Sequence, residues 1–221
     1  VTYLGLGSGD IVFLDDGPDA SALGLTFGDV THDETPGVQA AAGADDQAGV
    51  LPGVFTGGPD LIGWAQAAVS VDDTAAAVYG TDGAGSVSLA LTNSTGGGFT
   101  TSGDGTATNL TATAGGAIFL FDGPGGVIQG WTTTGDTGAE ANQDVLVFEL
   151  YLDDSTDMLQ VAQYAAIDHP VDSDPNDPIS LLSSGDAAVV YVQATVTDGD
   201  NDTDVTYLGL GSGDIVFLDD G

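Results

Sequence analysis

The segment Thr197-Asp198-Gly199-Asp200-Asn201-Asp202-Thr203-Asp204 sets four carboxylates at alternate positions immediately after a run of strand-forming residues. A tight turn there draws Asp198, Asp200, Asp202 and Asp204 together. Carboxylates that converge with no basic partner either bind a cation or spread into water. Two further acidic pairs, Asp15-Asp16 before Gly17 and Asp219-Asp220 before Gly221, flank the same region of the sequence. The chemistry expected of these eight side chains is oxygen ligation of a hard dication, and calcium is the expected cofactor. Asp72-Asp73, Asp153-Asp154, Asp45-Asp46 and the run Asp172, Asp174, Asp177 are weaker candidates, read as mostly exposed loop residues.

The composition makes an external cation necessary. The chain has 221 residues, 34 of them Asp or Glu, two His and no Lys or Arg, for a formal charge of −34. Conventional salt bridges cannot form. Phosphate recognition rests on Lys and Arg, so nucleic acid is excluded as a partner, as is docking on anionic lipid. No apolar run reaches the roughly 20 residues of a membrane-spanning helix. With 42% hydrophobic residues the chain is nonetheless rich enough to fold around a core.

An enzymatic reading finds little to stand on. His32 lies in Val30-Thr31-His32-Asp33-Glu34-Thr35 and His169 in Ile167-Asp168-His169-Pro170. They are far apart in sequence, with no Cys and no third nitrogen ligand for zinc, so hydrogen-bonded loop histidines are expected. There is no Gly-x-Ser-x-Gly elbow, and without a basic residue phosphoryl transfer has nothing to stabilise its charge. We expect no enzyme. Trp64 and Trp131 offer a glycan-stacking alternative, but both sit in alternating segments that read as core strands.

The first and last seventeen residues, Val1 to Gly17 and Val205 to Gly221, are identical, VTYLGLGSGDIVFLDDG, at an offset of 205 − 1 = 204 residues. Identity of that length marks a tandem repeat with a period of 204. We divide the chain accordingly: 1–17 as the terminal strand and junction of the preceding repeat, 18–204 as the repeat domain, and 205–221 as the closing strand and junction to the next. Neighbouring copies of the same repeat are the expected partners. Joining of separate subunits by strand donation, each lending its terminal seventeen residues to a neighbour's sheet, is the alternative.

The elements that must position the acids are strands. Ala188, Val190, Val192, Ala194 and Val196 share one face against Val189, Tyr191, Gln193, Thr195 and Thr197 on the other, and Val87, Leu89 and Leu91 alternate in the same way. Further strands are expected over 23–27, 61–71, 75–79, 106–113, 117–121, 127–133, 145–152 and 158–167, with one more from 205 to 218. Residues 36–59 read as a long loop with one helical turn, and 5–13 as a bulged strand. Many short strands between Gly, Asp and Pro turns predict an all-β fold, an antiparallel β-sandwich.

Several segments together resemble a known group: His32-Asp33-Glu34-Thr35-Pro36-Gly37-Val38-Gln39, Ile62-Gly63-Trp64-Ala65, Ala162-Gln163-Tyr164-Ala165-Ala166-Ile167-Asp168-His169, Thr197-Asp198-Gly199-Asp200 and Phe13-Leu14-Asp15-Asp16-Gly17-Pro18. They look like the long repeat domains of giant type I-secreted bacterial surface adhesins of the repeats-in-toxin class. The resemblance implies a β-sandwich extender on the cell surface, folded outside the cell with calcium, which holds an adhesive tip away from that surface. Contact with glycans would then fall to other domains. The total lack of basic residues departs from that group.

Overall fold

The computed structural model describes residues 16–38, 45–55, 60–94, 96–133, 145–171, 174 and 176–219. Within them the chain forms thirteen strands: β1 Gly24–Phe27, β2 Val30–Asp33, β3 Gly63–Asp72, β4 Ala84–Thr92, β5 Thr106–Thr111, β6 Ala117–Asp122, β7 Ile128–Thr133, β8 Leu146–Asp153, β9 Met158–Gln163, β10 Pro178–Ser180, β11 Val190–Asp198, β12 Thr203–Leu210 and β13 Ile215–Leu218. Two short 3₁₀ turns, Ala20–Ala22 and Pro124–Gly126, are the only helical elements among the described residues.

The strands build a sandwich. One layer is a seven-stranded antiparallel sheet ordered β1-β3-β9-β8-β7-β6-β5; facing it are two three-stranded sheets, β12-β11-β4 and β10-β13-β2. Strand β11 shows why: its β-branched and small residues Val190, Val192, Ala194 and Val196 are buried, while Tyr191, Gln193, Thr195 and Thr197 alternate outward. Burying that face supplies the favourable free energy, and period two dictates which residues share it. The central strands β8 and β9 carry almost unbroken buried runs. Their second face is covered by a smaller cluster of Phe55, Val127, Ala162 and Tyr164. In the main core Phe148 of β8 meets Phe217 of β13 across the layers, ring centroids 5.3 Å apart.

Two expectations need correcting. Residues 75–79 form a turn, not a strand: Thr74 N–H and hydroxyl bind the Asp72 carboxylate, the Val78 N–H closes onto the Ala75 carbonyl, and Val78 is the one buried side chain of the turn. Residues 205–218 are two strands, β12 and β13, because the turn at 211–214, closed by Gly211 N–H on the Asp214 carboxylate, folds the chain from one sheet into another. Residues 5–13, expected as a bulged strand, lie outside the described residues. The described part of 36–59 is loop with one turn closed by the Phe55 N–H on the Pro52 carbonyl at 3.1 Å, and the rest of that span lies outside the described residues. The sandwich also departs from pure antiparallel pairing at one place, where β13 runs parallel to β2.

The closing segment is part of the sandwich itself: Leu210, Ile215, Phe217 and Leu218 are all core residues. Phe148→Ala is expected to cost about 3–5 kcal/mol in urea unfolding at fixed calcium. Val50→Ala, at a side chain 92% exposed, should change stability by less than about 0.5 kcal/mol.

Candidate metal centre

The acidic turn that ends β11 is built by its own first residue. Asp198 Oδ1 accepts the Asp202 N–H at 2.8 Å, the Asp198 N–H reaches the Asp202 carbonyl at 3.1 Å, and Asn201 closes the turn in the left-handed region, φ 80°. The register of β4 against β11 shifts between Thr197 and Asp198, which sets Asp198 opposite Ala84. Close backbone approach follows. A Cβ on Gly85 would lie 2.1 Å from the Thr197 carbonyl oxygen, and one on Gly199 only 2.2 Å from that of Asp82. Glycine at these two positions lets the 81–83 turn dock against the acidic turn, with the Gly199 N–H on the Gly83 carbonyl at 3.0 Å.

This docking gathers the carboxylates of Asp82, Asp198 and Asp200, which each offer an oxygen within 4.8 Å of the others. Asp198 is 2% exposed, and its Oδ2 is buried without a hydrogen-bond partner. At such a separation and an effective dielectric near 20, like charges repel by roughly 3 kcal/mol per pair. An all-oxygen set with one desolvated, unpartnered carboxylate oxygen fits a hard cation of the calcium type.

The six expected carboxylates among the described residues divide into three groups. Asp198 and Asp200 belong to the cluster. Asp16, Asp202 and Asp204 lie close by with other tasks: Asp16 Oδ2 accepts the Thr81 N–H at 3.1 Å, Asp204 Oδ2 accepts the Ala20 N–H at 2.9 Å, and Asp202 stands beside Gly17. The chain after Asp16 is thus pinned to the same end of the sandwich as the cluster. Asp219 is elsewhere, its N–H on the Asp177 carbonyl at 3.3 Å. Asp15 and Asp220 lie outside the described residues.

Sequence reasoning missed Asp82. The signal was present: Thr81-Asp82-Gly83 is a turn tripeptide just before an alternating strand, and antiparallel pairing of that strand with β11 brings the residues before the one against those after the other. Of the weaker candidates, Asp72 and Asp153 are held below the usual carboxylate range by the hydroxyl and N–H groups of Thr74 and Ser155, donors from their own turns. Asp46 and Asp177 are exceptions to the mostly exposed expectation. Both are buried, Asp46 against the His32 ring and Asp177 with Oδ2 on the Val171 N–H.

The histidines are buried as well. His32 Nδ1 lies 2.6 Å from Asp46 Oδ1. His169, in the loop after β9, holds the Asp177 carbonyl through Nδ1 at 2.7 Å and faces Glu34. Burial pulls the His169 imidazole down, yet the Glu34 carboxylate, the Asp177 carbonyl and the charge of Asp219 together carry it above the ordinary histidine value. Both tryptophans are partly buried, Trp64 beside the smaller cluster and Trp131 with Nε1 on Gln129.

An all-β sandwich of extreme acidity, with a three-carboxylate cluster at the end where Asp16 is held, is the class of protein these features define. The chain belongs to the family described as a domain of unknown function, DUF5801, whose model matches residues 29–211, from the start of β2 to the end of β12. No curated protein and no solved structure matches it. No helix among the described residues is long and apolar enough to cross a membrane.

Asp198→Asn is expected to weaken calcium binding by about tenfold or more in a calorimetric titration, because affinity follows the charge on the ligand set. Asp72→Asn, at a turn acid with its own donors, should leave the titration unchanged. Gly199→Ala should weaken binding like Asp198→Asn with every carboxylate intact, since the added methyl displaces the turn that carries Asp82.

Proposed function

We propose that the domain is an extender repeat of a long extracellular adhesin or surface filament, stiffened by calcium bound where successive repeats join. The observation that carries this reading is the buried, unpartnered Oδ2 of Asp198 beside Asp82 and Asp200, in a chain with no Lys or Arg. The carboxylates would take calcium through oxygen, and the ion supplies there the positive charge that no side chain provides.

The repeat supports the placement at a junction. The copy at 205–218 furnishes two strands and four core residues of this sandwich. The identical copy at 1–17 is then what a preceding sandwich needs, and Asp16 is the point where the chain passes from one unit to the next. Thr81 holds Asp16, and its neighbour Asp82 holds the ion. A bound ion would fix the 81–83 turn and with it the angle at which the preceding unit leaves. Extracellular modules bind calcium with dissociation constants around 10⁻⁴ to 10⁻³ M, weak enough to be empty in cytosol and filled outside the cell. The work of such a domain is mechanical, and the partners are copies of itself.

Thermal unfolding of one repeat and of a two-repeat chain, each in calcium and in chelator, tests this. One site at a hundredfold excess over its dissociation constant adds about 2.7 kcal/mol. For a domain of this size each kcal/mol raises Tm by about 2–4 °C, so a rise of about 5–11 °C per site is expected. Small-angle scattering should show the two-repeat chain longer and stiffer in calcium. Equal flexibility in calcium and in chelator would sink the junction role even if the single repeat is stabilised.

A further inference from the structure

Only two side chains in this sequence can carry a positive charge, His32 and His169. His169 is buried where three stretches of chain meet: Glu34 just after β2, its own loop after β9, and the paired strands β10 and β13 at Asp177 and Asp219. Its Nδ1 lies 2.7 Å from the Asp177 carbonyl oxygen. A carbonyl only accepts, so Nδ1 keeps its hydrogen in either state of the ring, and the proton that comes and goes sits on Nε2.

That nitrogen faces Glu34 Oε1 at 3.6 Å, with both side chains closed to solvent. Glu34 Oε1 also accepts the Ile167 N–H at 2.9 Å and the Gln163 side-chain amide, so the carboxylate is held in place whether or not the ring is charged. With the proton on, the two form a buried ion pair. With it off, a lone pair confronts a fixed carboxylate, and a buried anion loses its counter-charge. The acids around it offer no substitute. Asp168 and Asp219 line the same cleft of about 240 Å³, Asp177 turns its carboxylate to the Val171 N–H, and Asp33 turns to the Thr35 N–H. His32, the other imidazole, is seated on Asp46 at 2.6 Å.

We propose that His169 is a proton-operated clamp at this end of the sandwich: protonated, it ties the segment after β2 and the loop after β9 to the chain leaving β13, and loss of the proton loosens the tie. The link to β13 is direct, because the Asp177 carbonyl that receives the ring N–H also receives the Asp219 N–H at 3.3 Å. Burial opposes the charged ring, but the Glu34 carboxylate, the Asp177 carbonyl and the charge of Asp219 outweigh it and lift the ring above the ordinary value of 6.5. The stability the clamp contributes is therefore fully present below about pH 6.5 and is lost as pH rises through the folded value. The inference uses none of the clustered carboxylates Asp82, Asp198 and Asp200 and does not depend on the calcium reading.

The test uses the full chain at fixed calcium and ionic strength, from mildly acid to mildly alkaline pH. The ring nitrogens of both histidines are followed by ¹⁵N NMR, and amide hydrogen exchange at Asp219 and Ile167 is read as protection relative to the unfolded rate at each pH. His169 should lose its proton from Nε2 with a midpoint above 6.5, and protection at both amides should fall through that midpoint in the wild type and stay flat in His169→Gln. In urea unfolding, the folding constant of the wild type should fall relative to that of H169Q by about tenfold per pH unit between 6.5 and the folded midpoint. Glu34→Gln should weaken proton binding at His169 by about tenfold or more, because it removes the facing carboxylate. A midpoint at or below 6.5, or equal protection of Asp219 on both sides of it, overturns the proposal. If H169Q does not fold, the wild type and E34Q decide: an unchanged midpoint in E34Q shows that Glu34 does not hold the proton on the ring, and the proposal fails.

Discussion

Every buried carboxylate in this protein has to be accommodated without Lys or Arg, and that constraint shapes the interior. Burying an ionised group is costly unless donors or an opposite charge meet it. Glu34 is met by the Ile167 N–H, the Gln163 amide and, at longer range, the His169 ring. Asp46 is met by His32 and the Asp33 N–H, and Glu149 by Gln129 and the Tyr164 hydroxyl. Asp33 and Asp177 use backbone N–H groups from Thr35 and Val171. Among the described residues two carboxylates keep a buried oxygen without a partner, Asp46 and Asp198. Asp46 has an imidazole at 2.6 Å; Asp198 has two more carboxylates. The difference singles out the cluster as the candidate for charge balance from outside the chain.

The fold sets up that place by backbone geometry more than by side-chain packing. The register shift at the end of β11, the self-closed turn of Asp198 to Asp202 and the close approach permitted by Gly85 and Gly199 together bring Asp82 from one connection against Asp198 and Asp200 from another. Sheet order does the rest, since β11 lies between β4 and β12. The same end holds Asp16 and Ala20, the first described turn of the chain. A cation bound at the cluster, as proposed, would act on two neighbouring connections and on the segment leading into the sandwich.

Where hydrophobic alternation is strong the sequence was readable: β4 and β11 fall within two residues of the expected spans, because one face of each must be buried and period two leaves no other register; β6 and β8, buried more continuously, were found from their apolar runs between turn residues. The failures have their own physics. Strand β2 is Val30-Thr31-His32-Asp33, a buried strand written in polar letters that only the pairing of His32 with Asp46 and of β2 with β13 makes affordable. Strand β10 is three residues long and held by its place beside β13. Residues 75–79 have strand composition, but the Asp72 carboxylate and Thr74 start a turn that local propensity does not reveal. At the metal centre, Asp198 and Asp200 were legible as an alternating acidic turn. Asp82 was legible only as a turn acid before an alternating strand; its place in the cluster depends on which strands pair, and that is a property of topology.

Under the proposed reading, diffuse counterions would not do the work of an ion bound at Asp198. Mobile salt screens charge over about 8 Å at physiological ionic strength, and it does so from the solvent side. That suffices for the exposed acids such as Asp72 and Asp73, whose neighbours are water and their own turn donors. The oxygens of Asp82, Asp198 and Asp200 lie within 4.8 Å of one another, well inside the screening length, and Asp198 is closed to solvent. Monovalent salt can thus relax the surface repulsion of −34 charges while it leaves this point unrelieved. A dication in direct contact with Asp198 Oδ2 relieves both the repulsion and the missing partner in one step, so the response of the protein to calcium should differ in kind from its response to ionic strength, and not merely in degree.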